Sequence, residues 1–104
     1  MSLNSGSTVP GKTNWQAYGK QGIYVDVDTS GAGYRDTPLY FTSLGGKSNH
    51  WSVSGSNAVY NATATGFRIY LRWLDGSALT PEIANQREWH IKWHGVTNHI
   101  IHED

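Results

Sequence analysis

One stretch, Phe67-Arg68-Ile69-Tyr70-Leu71-Arg72-Trp73, alternates apolar and polar side chains along its whole length. Successive side chains of an extended strand point to opposite faces, so the four apolar residues share one face of this stretch. Arg68, Tyr70 and Arg72 share the other face. Such alternation is typical of an antiparallel strand with one face in the core. The stretch therefore predicts a half-buried strand that presents arginine and tyrosine to the outside.

Two further stretches repeat this pattern. In Trp89-His90-Ile91-Lys92-Trp93-His94 the two tryptophans and the isoleucine fall on one face, and the two histidines and the lysine fall on the other. In Gly22-Ile23-Tyr24-Val25-Asp26-Val27-Asp28 the β-branched residues all fall on one face. We expect both stretches to be half-buried strands, with Trp73, Trp89 and Trp93 in the core.

Shorter segments complete the predicted sheets. Glycine, proline, serine and asparagine favour turns, and they bound four candidate strands at 13–18, 39–43, 50–53 and 58–61, the last two as a hairpin. Thr80-Pro81-Glu82 has the signature of a helix start. The first twelve or so residues carry no periodic pattern, and we expect them to be loose. Six or seven short strands predict an all-β antiparallel two-sheet sandwich, with one sheet closed on itself as the alternative.

Length and composition restrict the class of protein. A chain of 104 residues is predicted to form a single domain, 1–104. Its eight basic and eight acidic residues cancel, which argues against a nucleic-acid partner. It has no cysteine, no apolar run of about 18 residues and no N-terminal pattern of a cleavable signal peptide. We expect a soluble domain that does not insert into membranes and that lacks disulfides.

A calcium site is the main alternative to a metal-free protein. Asp26-Val27-Asp28-Thr29-Ser30-Gly31 places oxygen ligands at alternate positions before a glycine, as at the start of an EF-hand loop. Thr37 stands where that loop needs a bidentate glutamate, although Asp36 could join the cluster. His90 and His94 lie about 13 Å apart if their segment is a strand, too far to share a zinc ion. The sequence therefore predicts no cofactor and leaves calcium as the alternative.

Motifs for catalysis are missing from the sequence. It contains no nucleophile elbow, no phosphate-binding loop and no cysteine nucleophile. Asp26 and Asp28 are neighbours on one strand face, whereas a glycosidase needs two carboxylates that face each other across a cleft. We expect a protein that is not an enzyme.

The aromatic residues favour recognition instead. Five tryptophans and six tyrosines outnumber two phenylalanines, although tyrosine and tryptophan carry polar atoms that need a partner when buried. A shallow surface that pairs such rings with hydrogen-bonding groups suits a carbohydrate. We expect one binding face, formed by the outward side chains of the strands at 67–73 and 89–94 and reinforced by a nearby loop. Its six candidate carbohydrate-binding residues are Tyr70, Arg72, His90, Lys92, His50 and Trp51. A protein–protein interaction module would use similar residues and is the alternative function.

The chain as a whole also resembles the small hemagglutinins of the slime mould Physarum. The resemblance is carried by the cysteine-free length and by the runs 22–28, 65–73 and 89–96. It implies a secreted lectin with a legume-lectin-like or galectin-like β-sandwich, and glycans of glycoproteins or glycolipids as partners. Agglutination further requires self-association or a second site. The metal ligands and sugar contacts of that family do not map onto particular residues of this chain.

Overall fold

The computed structural model describes residues 2–97 of the chain. They form eight strands, one α-helix and two 3₁₀ helices, at Ser30–Ala32 and His50–Ser52. The strands and the helix, in chain order, are β1 (Ser2–Ser7), β2 (Gln16–Tyr18), β3 (Gly22–Asp28), β4 (Leu39–Gly45), β5 (Val53–Ser54), β6 (Tyr60–Thr63), β7 (Gly66–Trp73), α1 (Pro81–Gln86) and β8 (His90–Thr97).

The strands form two antiparallel sheets, which confirms the predicted all-β sandwich. One sheet has three strands in the order β1-β8-β4. The other has five, in the order β2-β3-β7-β5, with β6 also paired to β7. The described residues thus contain eight strands where the sequence predicted six or seven.

The inner faces of the sheets hold the core. The alternation predicted for β3, β7 and β8 is confirmed, because Ile23, Ile69 and Ile91 are completely buried while their sequence neighbours face outward. Trp89 is also completely buried, whereas Trp73 and Trp93 are only partly buried against the core. The other buried apolar residues are Trp15, Val25, Val27, Phe67, Leu71, Leu79 and Ala84.

Helix α1 begins where the sequence predicted. Thr80 is its N-cap, with Oγ1 accepting a hydrogen bond from the backbone N–H of Ile83 at 3.3 Å, and Pro81 occupies the first helical position. The helix buries Ala84 against the core. No helix within residues 2–97 has the length and apolarity needed to cross a membrane.

The expectation that the first residues are loose is wrong for β1. This strand pairs with β8 from Ser2 opposite Thr97 to Ser7 opposite Lys92. Its polar sequence has no hydrophobic alternation, and backbone hydrogen bonds to β8 hold it instead. A Cβ atom at Gly6 would lie 2.8 Å from the Trp93 ring, so glycine allows the close approach of that ring.

Strands β5 and β6 do not form the predicted hairpin. Both pair with β7, β5 near Trp73 and β6 near Arg68. The turn between them brings Gly55, at φ 108°, against the backbone carbonyl of Tyr70. The register of β6 then shifts between Tyr60 and Thr63. Two short edge segments therefore lie end to end beside β7.

Candidate functional site

Four tyrosines lie together on the outer face of the five-stranded sheet. Tyr18 comes from β2, Tyr24 from β3, Tyr60 from β6 and Tyr70 from β7. The pairing register places Tyr24 directly opposite Tyr70. Because outward positions alternate along each strand, neighbouring strands bring these rings to one surface. We call these four residues the tyrosine cluster.

Tyr70 is the centre of the tyrosine cluster. Its ring centroid lies 4.9 Å from that of Tyr18, 5.9 Å from that of Tyr24 and 5.1 Å from that of Tyr60. The contacts with Tyr18 and Tyr60 are edge-to-face, the arrangement that the ring quadrupoles favour. Tyr18 is 58% exposed and Tyr60 51% exposed. Two rings are thus held in place by a third and still face solvent.

Arg68 braces the cluster from one side. Its guanidinium carbon lies 4.1 Å from the centroid of the Tyr24 ring, and Nη1 donates a hydrogen bond to the Tyr70 hydroxyl at 3.3 Å. The guanidinium also donates to both carboxylate oxygens of Asp26, at 2.6 and 2.8 Å. These hydrogen bonds, with the charge of Arg68, hold the pKa of Asp26 below its usual range against a smaller opposing effect of burial.

The Asp26–Arg68 pair should make stability depend on pH in a defined direction. A lowered carboxyl pKa in the folded state stabilises above the ordinary value of 3.8, and this stabilisation is lost as the pH falls through the folded-state pKa. The Asp26 side chain is 62% exposed, so we expect Asp26→Asn to cost no more than about 1 kcal/mol at neutral pH. Urea unfolding of the two proteins should give a difference at pH 6 that shrinks towards pH 2. A difference that grows on acidification would contradict the assignment.

An open groove of about 850 Å³ lies beside the tyrosine cluster. Tyr18, Tyr60 and Tyr70 form its aromatic wall, and Lys20 and Arg72 lie along it. Gly22 and Gly55 also line the groove, and the lack of a side chain at Gly55 allows its backbone to approach the Tyr70 carbonyl. We call this feature the tyrosine groove. Its aromatic faces and cationic groups together can hold a ligand that has both an apolar face and polar atoms.

Of the six predicted binding residues, the structure brings two into the tyrosine groove, Tyr70 and Arg72. His90 and Lys92 belong to β8 in the three-stranded sheet, whereas Tyr70 belongs to β7 in the five-stranded sheet. Since the two sheets pack face to face, their outer faces point away from each other. The prediction that β7 and β8 share one binding face is therefore wrong.

His90 and Lys92 differ in accessibility. The His90 ring is half-buried over Gly45, where an added Cβ would lie 2.5 Å from the ring, and its Nδ1 lies 2.8 Å from the Glu88 carbonyl oxygen. Lys92 is exposed and lines a hollow of about 260 Å³ with Phe41. Trp93 and His94 of β8 also line this smaller hollow.

His50 and Trp51 lie in the second 3₁₀ helix, outside the tyrosine groove. His50 is half-buried, and its Nδ1 is enclosed without a hydrogen-bond partner among residues 2–97. Trp51 is 84% exposed, the highest value among the large apolar residues that the structure describes. Only Trp51 of this pair offers its ring to a ligand.

Two of the three carboxylates considered for calcium, Asp26 and Asp28, have other partners. Both oxygens of Asp26 accept from Arg68, and Asp28 Oδ1 accepts from the backbone N–H of Ser30 at 2.9 Å. Hydrogen bonds from Ser30 lower the pKa of Asp28. Within the described part of the chain, no three His, Cys, Asp or Glu side chains are grouped so that they could hold a metal ion.

Sequence reasoning did not select Tyr18, Tyr60 or Lys20. Tyr18 and Tyr60 lie on the short strands β2 and β6, whose residues are all exposed and show no alternation of burial. Lys20 lies in the turn between β2 and β3. The excess of tyrosine over phenylalanine was the one available signal, because it indicated that several rings meet solvent.

Comparisons of the chain with protein-family models, with curated proteins and with solved structures found no match. The functional assignment of the tyrosine groove therefore depends on its own geometry and chemistry.

Proposed function

We propose that this protein is a lectin that binds carbohydrate in the tyrosine groove. The observation that carries the proposal is the tyrosine cluster, in which the half-exposed rings of Tyr18 and Tyr60 are both held edge-to-face by Tyr70. A pyranose ring has an apolar face of C–H bonds and a rim of hydroxyl groups. A fixed aromatic ring can cover the apolar face, while tyrosine hydroxyls and Arg72 hydrogen-bond to the rim.

The size and openness of the groove support a sugar ligand. About 850 Å³ lies within the range of roughly 300–1,000 Å³ that is usual for small-molecule sites. The groove is open to solvent along the outer face of the sheet, so a longer glycan can extend beyond it. Rigid rings also reduce the side-chain entropy that binding would otherwise cost.

We propose binding without catalysis. The described residues that line the groove include no carboxylate, imidazole or thiol, which are the side chains that most often act as general acids, bases or nucleophiles. Asp26 is the carboxylate that contacts the tyrosine cluster through Arg68, and its oxygens are occupied by that residue.

The proposed function agrees with the resemblance to the slime-mould hemagglutinins. A lectin for the glycans of glycoproteins and glycolipids acts at the cell surface, so we propose an extracellular location. Agglutination of cells needs two sites on one particle. Self-association of this chain would supply them.

The test compares one residue of the tyrosine groove with one residue of the hollow that is almost equally exposed. Tyr60 is 51% exposed and Phe41 is 53% exposed, but they lie on opposite sheets. We expect Tyr60→Ala to weaken binding to the best ligand of a glycan array by about tenfold or more, because it removes one wall of the groove. Phe41→Ala should retain full affinity. Affinity is measured by calorimetry on proteins with normal circular dichroism.

The outcomes separate the possible sites. Equal binding by Tyr60→Ala and the unmodified protein would mean that sugar does not occupy the tyrosine groove. A loss in Phe41→Ala alone would move the site to the three-stranded sheet.

Protein–protein interaction remains the second candidate because of one exposed apolar pair. Trp51 is 84% exposed and Leu74 is 67% exposed, and their segments are joined by a hydrogen bond from the Leu74 N–H to the Ser52 carbonyl at 2.9 Å. Large exposed apolar residues of this kind anchor protein interfaces. Silence on the glycan array, together with a partner whose binding is lost in Trp51→Ala, would favour this function.

A further inference from the structure

We infer that the tyrosine groove selects anionic sugars, those that carry a carboxylate or a sulfate group. The inference rests on the proposed function and specifies its ligand class. It depends on the distribution of charge over the outer face of the five-stranded sheet.

Among residues 2–97, the charged residues that line the groove are all cationic. Lys20 and Arg72 are both exposed there, and no aspartate or glutamate of this part of the chain lines the groove. The protein as a whole has no net charge, so this local excess does not reflect a generally basic surface. A concave surface with charge of one sign attracts and retains ligands of the opposite sign.

Arg72 is free to receive an anion. Its side chain makes no hydrogen bond and no ion pair with any residue between 2 and 97. The residues opposite it on the two neighbouring strands are Gly22 and Ser54, whose side chains are absent or short. The guanidinium therefore has open space on both sides. Its planar pair of N–H donors matches the two oxygens of a carboxylate or sulfate.

Arg68 provides an internal comparison four residues earlier in β7. It lies on the same outer face but faces Asp26, and the two residues form a bidentate ion pair. Arg68 is thus neutralised and acts as a brace for the tyrosine cluster. Arg72 lies on the same strand and faces the same way but has no acidic partner within residues 2–97. Because Arg68 is paired with Asp26 and the Arg72 side chain is not paired in the described part of the chain, Arg72 is the residue that binds the anionic group of the sugar.

Asp28, the remaining acidic residue within the described strands of this sheet, is too distant to cancel the charge of the groove. It lies at the far end of β3, six residues from Gly22, which corresponds to about 20 Å at the rise of a strand. Screening by salt acts over about 8 Å at physiological ionic strength. A ligand beside Arg72 is therefore attracted by the charges of Lys20 and Arg72, and the charge of Asp28 repels it only weakly.

The experiment uses an array in which each neutral oligosaccharide core is printed beside its sialylated and its sulfated form. We expect the full chain to retain at least one anionic form about tenfold more strongly than its neutral core, and Arg72→Gln to remove most of that preference. Raising NaCl from about 0.05 M to about 0.5 M should reduce the preference as well. Lys92→Gln removes the same charge from the opposite sheet and is the matched control, with the preference unchanged.

Each result decides between the proposals. Equal retention of neutral and anionic forms, or a preference that survives in Arg72→Gln, would overturn the inference and leave the lectin function standing. No retention of any glycan would overturn both. The sialylated and sulfated arms distinguish a carboxylate ligand from a sulfate ligand.

Discussion

Tyr70→Ala is expected to reduce carbohydrate binding by about thirtyfold or more, the loss typical of a central aromatic anchor. Tyr70 contacts the rings of the three other members of the tyrosine cluster, so its removal frees Tyr18 and Tyr60 to rotate away from the groove. Each ring pair contributes roughly 0.5–1.5 kcal/mol, and we expect the free energy of unfolding to fall by about 2–3 kcal/mol. Calorimetric titration and urea unfolding measure the two effects.

Two further variants separate loss of the groove from loss of the fold. Tyr70→Phe keeps the ring and loses only the hydroxyl that accepts from Arg68, so it should retain most of the affinity. Ala58→Phe should obstruct the groove without changing any tyrosine, because Ala58 is exposed on its lining. Normal binding by Ala58→Phe, or by a folded Tyr70→Ala, would show that the ligand lies elsewhere.

Trp89→Ala should destabilise the fold more than Asp26→Asn or Tyr70→Ala, with a loss of about 3–5 kcal/mol in the free energy of unfolding. The side chain is completely buried, and its ring lies 5.3 Å from that of Trp73. Its Nε1–H donates to the Ser48 carbonyl at 2.8 Å, which the substitution would leave without this partner. A domain of this size is stabilised by only about 5–15 kcal/mol in total, so this loss should remove a large fraction of the free energy of unfolding.

Trp89→Phe is the control for this effect. It retains part of the ring volume and loses the N–H donor, so its cost should lie well below that of alanine. Circular dichroism is the suitable probe of unfolding, because the substitution itself removes a fluorophore. A loss under about 1 kcal/mol for Trp89→Ala would contradict the central place of this residue in the core.

Alternation in the sequence predicted the long strands correctly because burial dominates them. Val25 and Leu71 are almost completely buried, and the polar residues between them face outward. Strand β1 could not be predicted in this way, since its side chains contribute no alternating apolar face. It forms because β8 offers an edge for pairing and because Gly6 leaves space for Trp93. Such a strand depends on residues nearly ninety positions away in the sequence.

Only part of the candidate site could be predicted from the sequence. The side-chain direction along each strand was predictable, whereas the pairing of the strands was not. The period of two places Tyr70 and Lys92 on the outside of their own strands, and both are outside. It does not determine which strands share a sheet, because sheet membership depends on long-range pairing. Tyr70 and Lys92 therefore lie on opposite outer faces. Tyr60 joins Tyr70 only through the pairing of β6 with β7, which local sequence does not specify.

The irregular strand β6 disfavours edge-to-edge pairing of this sheet with another chain. A regular edge strand exposes unpaired N–H and C=O groups, which can template the addition of another chain. In β6 the register shifts between Tyr60 and Thr63, and Asn61 adopts a positive φ of 55°. A second copy cannot continue a regular ladder along such a segment. The sheet can thus expose Tyr60 beside an open groove without offering a template for fibril growth at this edge.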